Sequence, residues 1–111
     1  MTISEFKERV AGVVVSDEPW DTSLVWADAQ IDLADVDEAD RARVVIDLLV
    51  ELLDEGFVEY FAVTNFNVEE YEKDPRPEEL LTRDELRDQL SRGDSLLRMR
   101  PTESARRQYS A

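Results

Sequence analysis

The chain has 111 residues, 42% of them hydrophobic, and a formal net charge of -14 with neither Cys nor His. That length and apolar content suit one domain with its own core, so residues 1–111 read as a single acidic globular domain. The lack of Cys excludes disulfides, thiolate nucleophiles and Cys-type zinc sites, and the acidic field repels the phosphate backbones of nucleic acids.

In chain order, Thr2 with Glu5 three residues later forms a capping box, and Phe6, Val10, Val13 and Val14 recur at helical spacing. This predicts a helix over 3–15, weakened by Gly12. Ser16-Asp17-Glu18-Pro19 breaks the pattern. Trp20, Leu24, Val25, Ala27, Ile31 and Leu33 then predict a shorter helix or irregular segment packed on the core. Carboxylates concentrate at Asp35, Asp37, Glu38 and Asp40, where N-cap and first-turn acids lie favourably against a helix dipole. A third helix follows over 39–55. Arg43, Asp47, Glu51 and Asp54/Glu55 form one narrow polar stripe along it, and most other positions from Val44 to Leu53 are apolar. Such a helix is central and buried over most of its circumference.

Gly56 stands where a helix C′ glycine is usual, and residues 57–64 read as a strand rich in aromatic and β-branched side chains. Residues 65–77, with two Asn and two Pro, read as a polar acidic loop. Thr82-Arg83-Asp84-Glu85 is a second capping box, opening a helix to Arg92 that Gly93 closes. Leu96 to Arg100 reads as a short strand stopped by Pro101, after which Thr102 caps a final short helix through Tyr109. The expected fold is α+β and mostly helical, with three or more helices and a small antiparallel sheet of two or three strands. Residues 101–111 form a basic tail whose end is left free to be flexible.

The succession of a helix, an irregular connection, a long helix ending in Glu-Gly, a strand, a loop and a late strand resembles the winged-helix domains. The likeness is carried by Leu52-Leu53-Asp54-Glu55-Gly56-Phe57-Val58, at the junction of recognition helix and wing strand, and by Arg100-Pro101-Thr102-Glu103-Ser104-Ala105-Arg106 at the end of the last strand. It spans residues 36–64 and 96–109. The sequence departs from the family at Ser104, where Gly is usual, and by inserting the acidic loop and the helix over 82–92 between the strands. The resemblance implies a helix-based scaffold and, in many members, DNA binding.

The charge distribution opposes that function. No Lys or Arg lies between Arg9 and Arg41, or between Arg43 and Lys73, whereas Arg98, Arg100, Arg106 and Arg107 cluster near the C-terminal end. A recognition helix bearing Asp47, Glu51, Asp54 and Glu55 would set carboxylates against phosphate. Catalysis is likewise unexpected: without His or Cys the usual general base and thiol nucleophile are absent, and no Gly-rich phosphate loop occurs. Asp35-x-Asp37 resembles the start of a calcium loop, but Asp40 and Ile46 stand where Gly and Glu are needed. No metal or cofactor is expected. The N-terminus lacks the pattern of a signal peptide and no apolar run is long enough to cross a membrane, so a cytoplasmic, non-membrane protein is expected.

Two function classes survive. The first is an acidic protein-interaction module, an inhibitor, an immunity-type protein or a nucleic-acid mimic, that binds a basic protein through Asp28, Asp32, Asp35, Asp37, Glu38, Asp47 and Glu51, with Trp20 or Trp26 half exposed at the docking edge. The second is a degenerate winged-helix regulator or adaptor using Arg98, Arg100, Arg106 and Arg107 for nucleic acid. A surface charged only for solubility is the plainer alternative. Oligomeric state is not legible, since no heptad or exposed apolar stripe marks an interface.

Overall fold

The computed structural model describes residues 1–16, 20–63, 69, 73–93 and 96–109. Among them lie five α-helices and three strands: α1 (Ile3–Ser16), β1 (Trp20–Asp21), α2 (Thr22–Asp32), α3 (Glu38–Asp54), β2 (Val58–Ala62), α4 (Arg83–Arg92), β3 (Leu97–Pro101) and α5 (Glu103–Tyr109). A 3-10 turn over Pro77–Glu79 precedes α4, starting at the last residue of the loop read over 65–77. The fold is α+β and mostly helical, with the small antiparallel sheet that the patterning predicts. The break at 17–19 and most of the loop at 65–77 lie outside the described residues.

Both capping boxes form. Thr2 N–H donates to Glu5 Oε1 at 3.0 Å and Glu5 N–H donates to Thr2 Oγ1 at 3.1 Å, so two orphan donors at the start of α1 are satisfied. The same exchange between Thr82 and Glu85 opens α4, which ends at Gly93 with φ 70°. Gly56, with φ 74°, lets the chain turn from α3 into β2 in a conformation that costs other residues strain.

The strands lie in the order β1-β3-β2, with Tyr60 opposite Met99 on one side of β3 and Trp20 opposite Met99 on the other. The sequence reading placed no strand at β1. Two residues carry no alternation, and only pairing with β3 makes them extended. Pro101 ends β3 beyond the reach of β1, so its missing N–H leaves no ladder bond unmade on that side.

The core is one cluster at the centre of these elements. Phe6, Val10 and Val14 of α1, Val25 and Ala29 of α2, Val45, Leu48, Leu49 and Leu52 of α3, Tyr60 of β2 and Leu97 and Met99 of β3 are all buried in it. Each large side chain so buried contributes about 1.5–3 kcal/mol by the area it removes from water. Tyr60 also donates its hydroxyl to Leu49 O at 2.7 Å, and burial pushes that phenol well above its ordinary pKa.

Of the apolar positions read around α2 only half pack inward: Val25 and Leu33 are buried and Trp20 is half-buried against the core, but Leu24, Ala27 and Ile31 face solvent. At the other end of the chain, α5 is anchored by Ala105 and by Thr102, whose hydroxyl donates to Gly56 O at 2.5 Å and accepts Ala105 N–H at 3.1 Å. The basic segment is thus helical to Tyr109, and positions 110–111 lie outside the described residues. No described helix is long and apolar enough to cross a membrane.

Candidate interaction surface

The carboxylates of α3 are met by cations from its neighbours. Lys7 of α1 donates to Glu51 Oε2 at 3.0 Å and also to Glu55. From α4, Arg83 reaches Asp54 at 2.9 Å and Arg87 reaches Asp47 at 3.1 Å. Partial burial works against the charged form of Lys7, but its bonds to Glu55 and Glu51 outweigh this and hold the ammonium above its ordinary pKa. Asp47 and Glu51, two of the expected contact residues, are therefore engaged within the chain, and their stripe bridges α3 to α1 and α4.

Asp35, Asp37 and Glu38 stand differently. All three are exposed, Asp35 and Asp37 on the connection between α2 and α3 and Glu38 at the first position of α3, and among the described residues no cation pairs with them. Asp37 occupies the N-cap position of α3 but makes no side-chain capping bond, so its carboxylate is not used where an N-cap acid ordinarily is. A little further back, Asp28 and Asp32 flank Arg9, which bonds Asp32 and lies 3.9 Å from Asp28. No group of three or more carboxylates among the described residues is placed to hold a metal ion.

Arg41 fixes this connection. Its Nε donates to Leu33 O at 3.0 Å, one terminal nitrogen donates to Ala34 O at 3.3 Å and Val36 O at 3.0 Å, and the other donates to Gln30 Oε1 at 2.8 Å. The planar fork thereby gathers carbonyls of the connection that follows α2, where Leu33 O also accepts Val36 N–H at 3.0 Å. Sequence reasoning placed Arg41 with Arg43 at one end of the exposed stripe of α3 and gave it no such role. Its only signal was position: Arg41 is the first cation after Arg9 in an otherwise acidic stretch.

The arginines of the nucleic-acid reading are dispersed in role. Arg98 is 4% exposed; its guanidinium donates to Trp20 O at 3.0 Å and Met99 O at 3.1 Å and lies 5.5 Å from the Phe61 ring centroid. It ties β1 to β3 and is not available to a phosphate, which corrects its place in that cluster. Arg100 pairs with Glu59 and Asp74, each at 3.5 Å. Arg106 and Arg107 are exposed in the last turn of α5, where Arg107 lies 4.0 Å from Glu103. Cations at a helix C-terminus complement its dipole, so these two have a structural use as well.

Trp20 and Trp26 are half-buried and pack against the core. Trp26 lines a shallow hollow with Thr22, Ser23, Gln89, Leu90, Gly93 and Leu96. A more open cleft of about 210 Å³ lies between α1, α3 and α5, with Lys7, Leu52, Phe57 and Tyr109 in its walls. Comparison with known proteins finds no matching family, no matching curated protein and no matching solved structure. The functional reading therefore rests on the surface itself.

Proposed function

We propose that the chain is an acidic protein-interaction module that docks a basic protein partner in the cytoplasm, as an inhibitor, immunity-type protein or nucleic-acid mimic does. One observation carries the reading: Asp35, Asp37 and Glu38 are exposed and unpaired among the described residues, on and directly after a connection that Arg41 holds in place. Carboxylates neutralised internally offer a partner little, whereas unpaired ones on a fixed backbone lose little freedom on binding. Complementary charge then speeds association, up to ~10⁸–10⁹ M⁻¹s⁻¹ at low salt. The test is capture from a lysate in low and high salt by the wild-type chain and by the triple variant Asp35→Asn, Asp37→Asn, Glu38→Gln. A basic protein retained at low salt, released by high salt and associating about tenfold more slowly with the variant supports the reading. Equal retention by both proteins refutes it.

A second reading has one observation in its favour. The element order and the strand order β1-β3-β2 fit a winged-helix-like scaffold, for which Arg100, Arg106 and Arg107 would supply nucleic-acid contacts. Against it, α4 packs beside the helix that would enter a groove and spans its carboxylates with Arg83 and Arg87. Retention of DNA by the wild-type chain at low salt, lost in Arg106→Ala/Arg107→Ala, would select it over the first.

A further inference from the structure

Helix α2 is apolar on both sides, which is unusual for a helix at the surface. Thr22, Val25 and Ala29 face the core, yet Leu24, Ala27 and Ile31, spaced i, i+3, i+7, form a stripe on the opposite side. Leu24 is 39% exposed and Ile31 is 76% exposed. Among the described residues no other element covers Leu24, Ala27 or Ile31, and a polar residue at each position would serve solubility better in a chain already so acidic.

The surroundings of the stripe identify what would cover it. Along one flank lie Asp28 and Asp32, two carboxylates sharing the one guanidinium of Arg9, so the flank retains a negative excess. Past its C-terminal end lie the carboxylates of Asp35, Asp37 and Glu38, unpaired among the described residues. A second copy of the chain fits poorly, because a symmetric contact would bring two such acidic rims together on molecules of charge -14 each. An occupant with an aliphatic ridge and a cationic margin matches both features. Ala27, between Leu24 and Ile31 along the helix, carries only a methyl group, so a partner side chain can approach the backbone closely there as helices pack.

We propose that the outer face of α2 is a docking surface for a cationic amphipathic helix of the partner, whose aliphatic side chains lie over Leu24, Ala27 and Ile31 while its Lys or Arg residues meet Asp28, Asp35, Asp37 and Glu38. This rests on the acidic-module reading and assigns its apolar centre. Such a division of labour is common at interfaces, with an apolar centre setting the lifetime of the complex and charged margins setting its rate of formation.

The test uses two synthetic probes: a Leu/Lys amphipathic peptide about five helical turns long, and a peptide of equal charge and length in which each Leu is Ser. Binding to the isotope-labelled full chain is followed by amide chemical shifts and fluorescence anisotropy at low salt. The expected result is that the Leu/Lys peptide shifts the amides of α2 and binds about tenfold or more weakly to Leu24→Ser/Ile31→Ser, whereas the Ser/Lys peptide binds both proteins alike. Both substitutions are at exposed positions, and circular dichroism checks that the helices persist. Unchanged affinity of the Leu/Lys peptide for that double variant overturns the α2 inference. If the triple variant Asp35→Asn, Asp37→Asn, Glu38→Gln still weakens both peptides, the acidic-module reading survives that loss. If neither peptide responds to the triple variant, or neither binds at all, the acidic-module reading falls with it.

Discussion

Asp47, Glu51, Asp54 and Glu55 each face a cation brought by another helix, whereas Asp35, Asp37 and Glu38, only a few turns earlier in the chain, face none among the described residues. The two groups have the same chemistry and contribute alike to the net charge, but they do different things. On α3 the charges are used to join helices. On the α2–α3 connection and at the first residue of α3 they are left outward, beside a backbone whose carbonyls Arg41 has gathered. The comparison shows that in a strongly acidic chain the total says little about binding, and the distribution of unmatched charge says more.

The contrast can be broken most severely at Arg41. Replacing it with Ala removes the side-chain donor of the Ala34 and Val36 carbonyls and one of the two donors of Leu33 O, and we expect a loss of about 2–4 kcal/mol in urea unfolding, with faster amide exchange across residues 33–38. Arg41→Lys should recover little of this, since one ammonium cannot span the same set of acceptors. An unchanged unfolding midpoint for Arg41→Ala would mean that the connection holds itself.

The α3 side should prove more forgiving. A double-mutant cycle on Asp47 and Arg87 should give a coupling below about 1 kcal/mol, shrinking further with salt, because both side chains are nearly half exposed and solvent screens the pair. Coupling well above that range would make α4 a specific lock on α3.

The smallest effect lies in the capping boxes. Glu5 is held below its ordinary pKa by the backbone N–H of Thr2 and then by the Thr2 hydroxyl, and Glu85 likewise by Thr82. A carboxyl whose folded pKa is depressed contributes stability that is present above its unfolded value and is lost as pH falls through the folded one. Protection of the Thr2 and Thr82 amides should therefore decline as pH falls below about 4.3, the ordinary glutamate value, ahead of global unfolding. Glu5→Gln and Glu85→Gln should remove that pH dependence, and protection that stays constant to lower pH would show that the caps carry no such linkage.

Much of the fold was legible because its signals are local. Both capping boxes, the glycines at 56 and 93, the apolar periodicity of α3 and the strands at β2 and β3 are each written within a few residues. What was not legible depends on distant partners. β1 exists through its pairing with Met99 and Arg98. The direction that Leu24 and Ile31 face depends on where α2 sits, and a short apolar-rich helix has no polar stripe to orient it. The same limit applied to the candidate site. Sequence could gather the acids but could not divide Asp47 and Glu51, which meet Lys7 and Arg87, from Asp35, Asp37 and Glu38, which meet no cation among the described residues. It grouped Arg98 with Arg106 and Arg107 by proximity, whereas pairing register turned Arg98 onto Trp20 and Phe61.

The sheet has a consequence for how these molecules meet one another. β1 offers only two residues, and on the outer edge of β2 the carbonyl of Tyr60 already accepts Leu81 N–H at 2.9 Å. Among the described residues a neighbouring chain thus finds only short edges to extend, which blunts a common route to fibres and strand exchange. Crowded copies are kept apart instead by a soft electrostatic cushion whose reach is the Debye length, about 10 Å at 0.1 M salt. Ionic strength, more than dilution, then sets how closely the molecules approach in a concentrated solution.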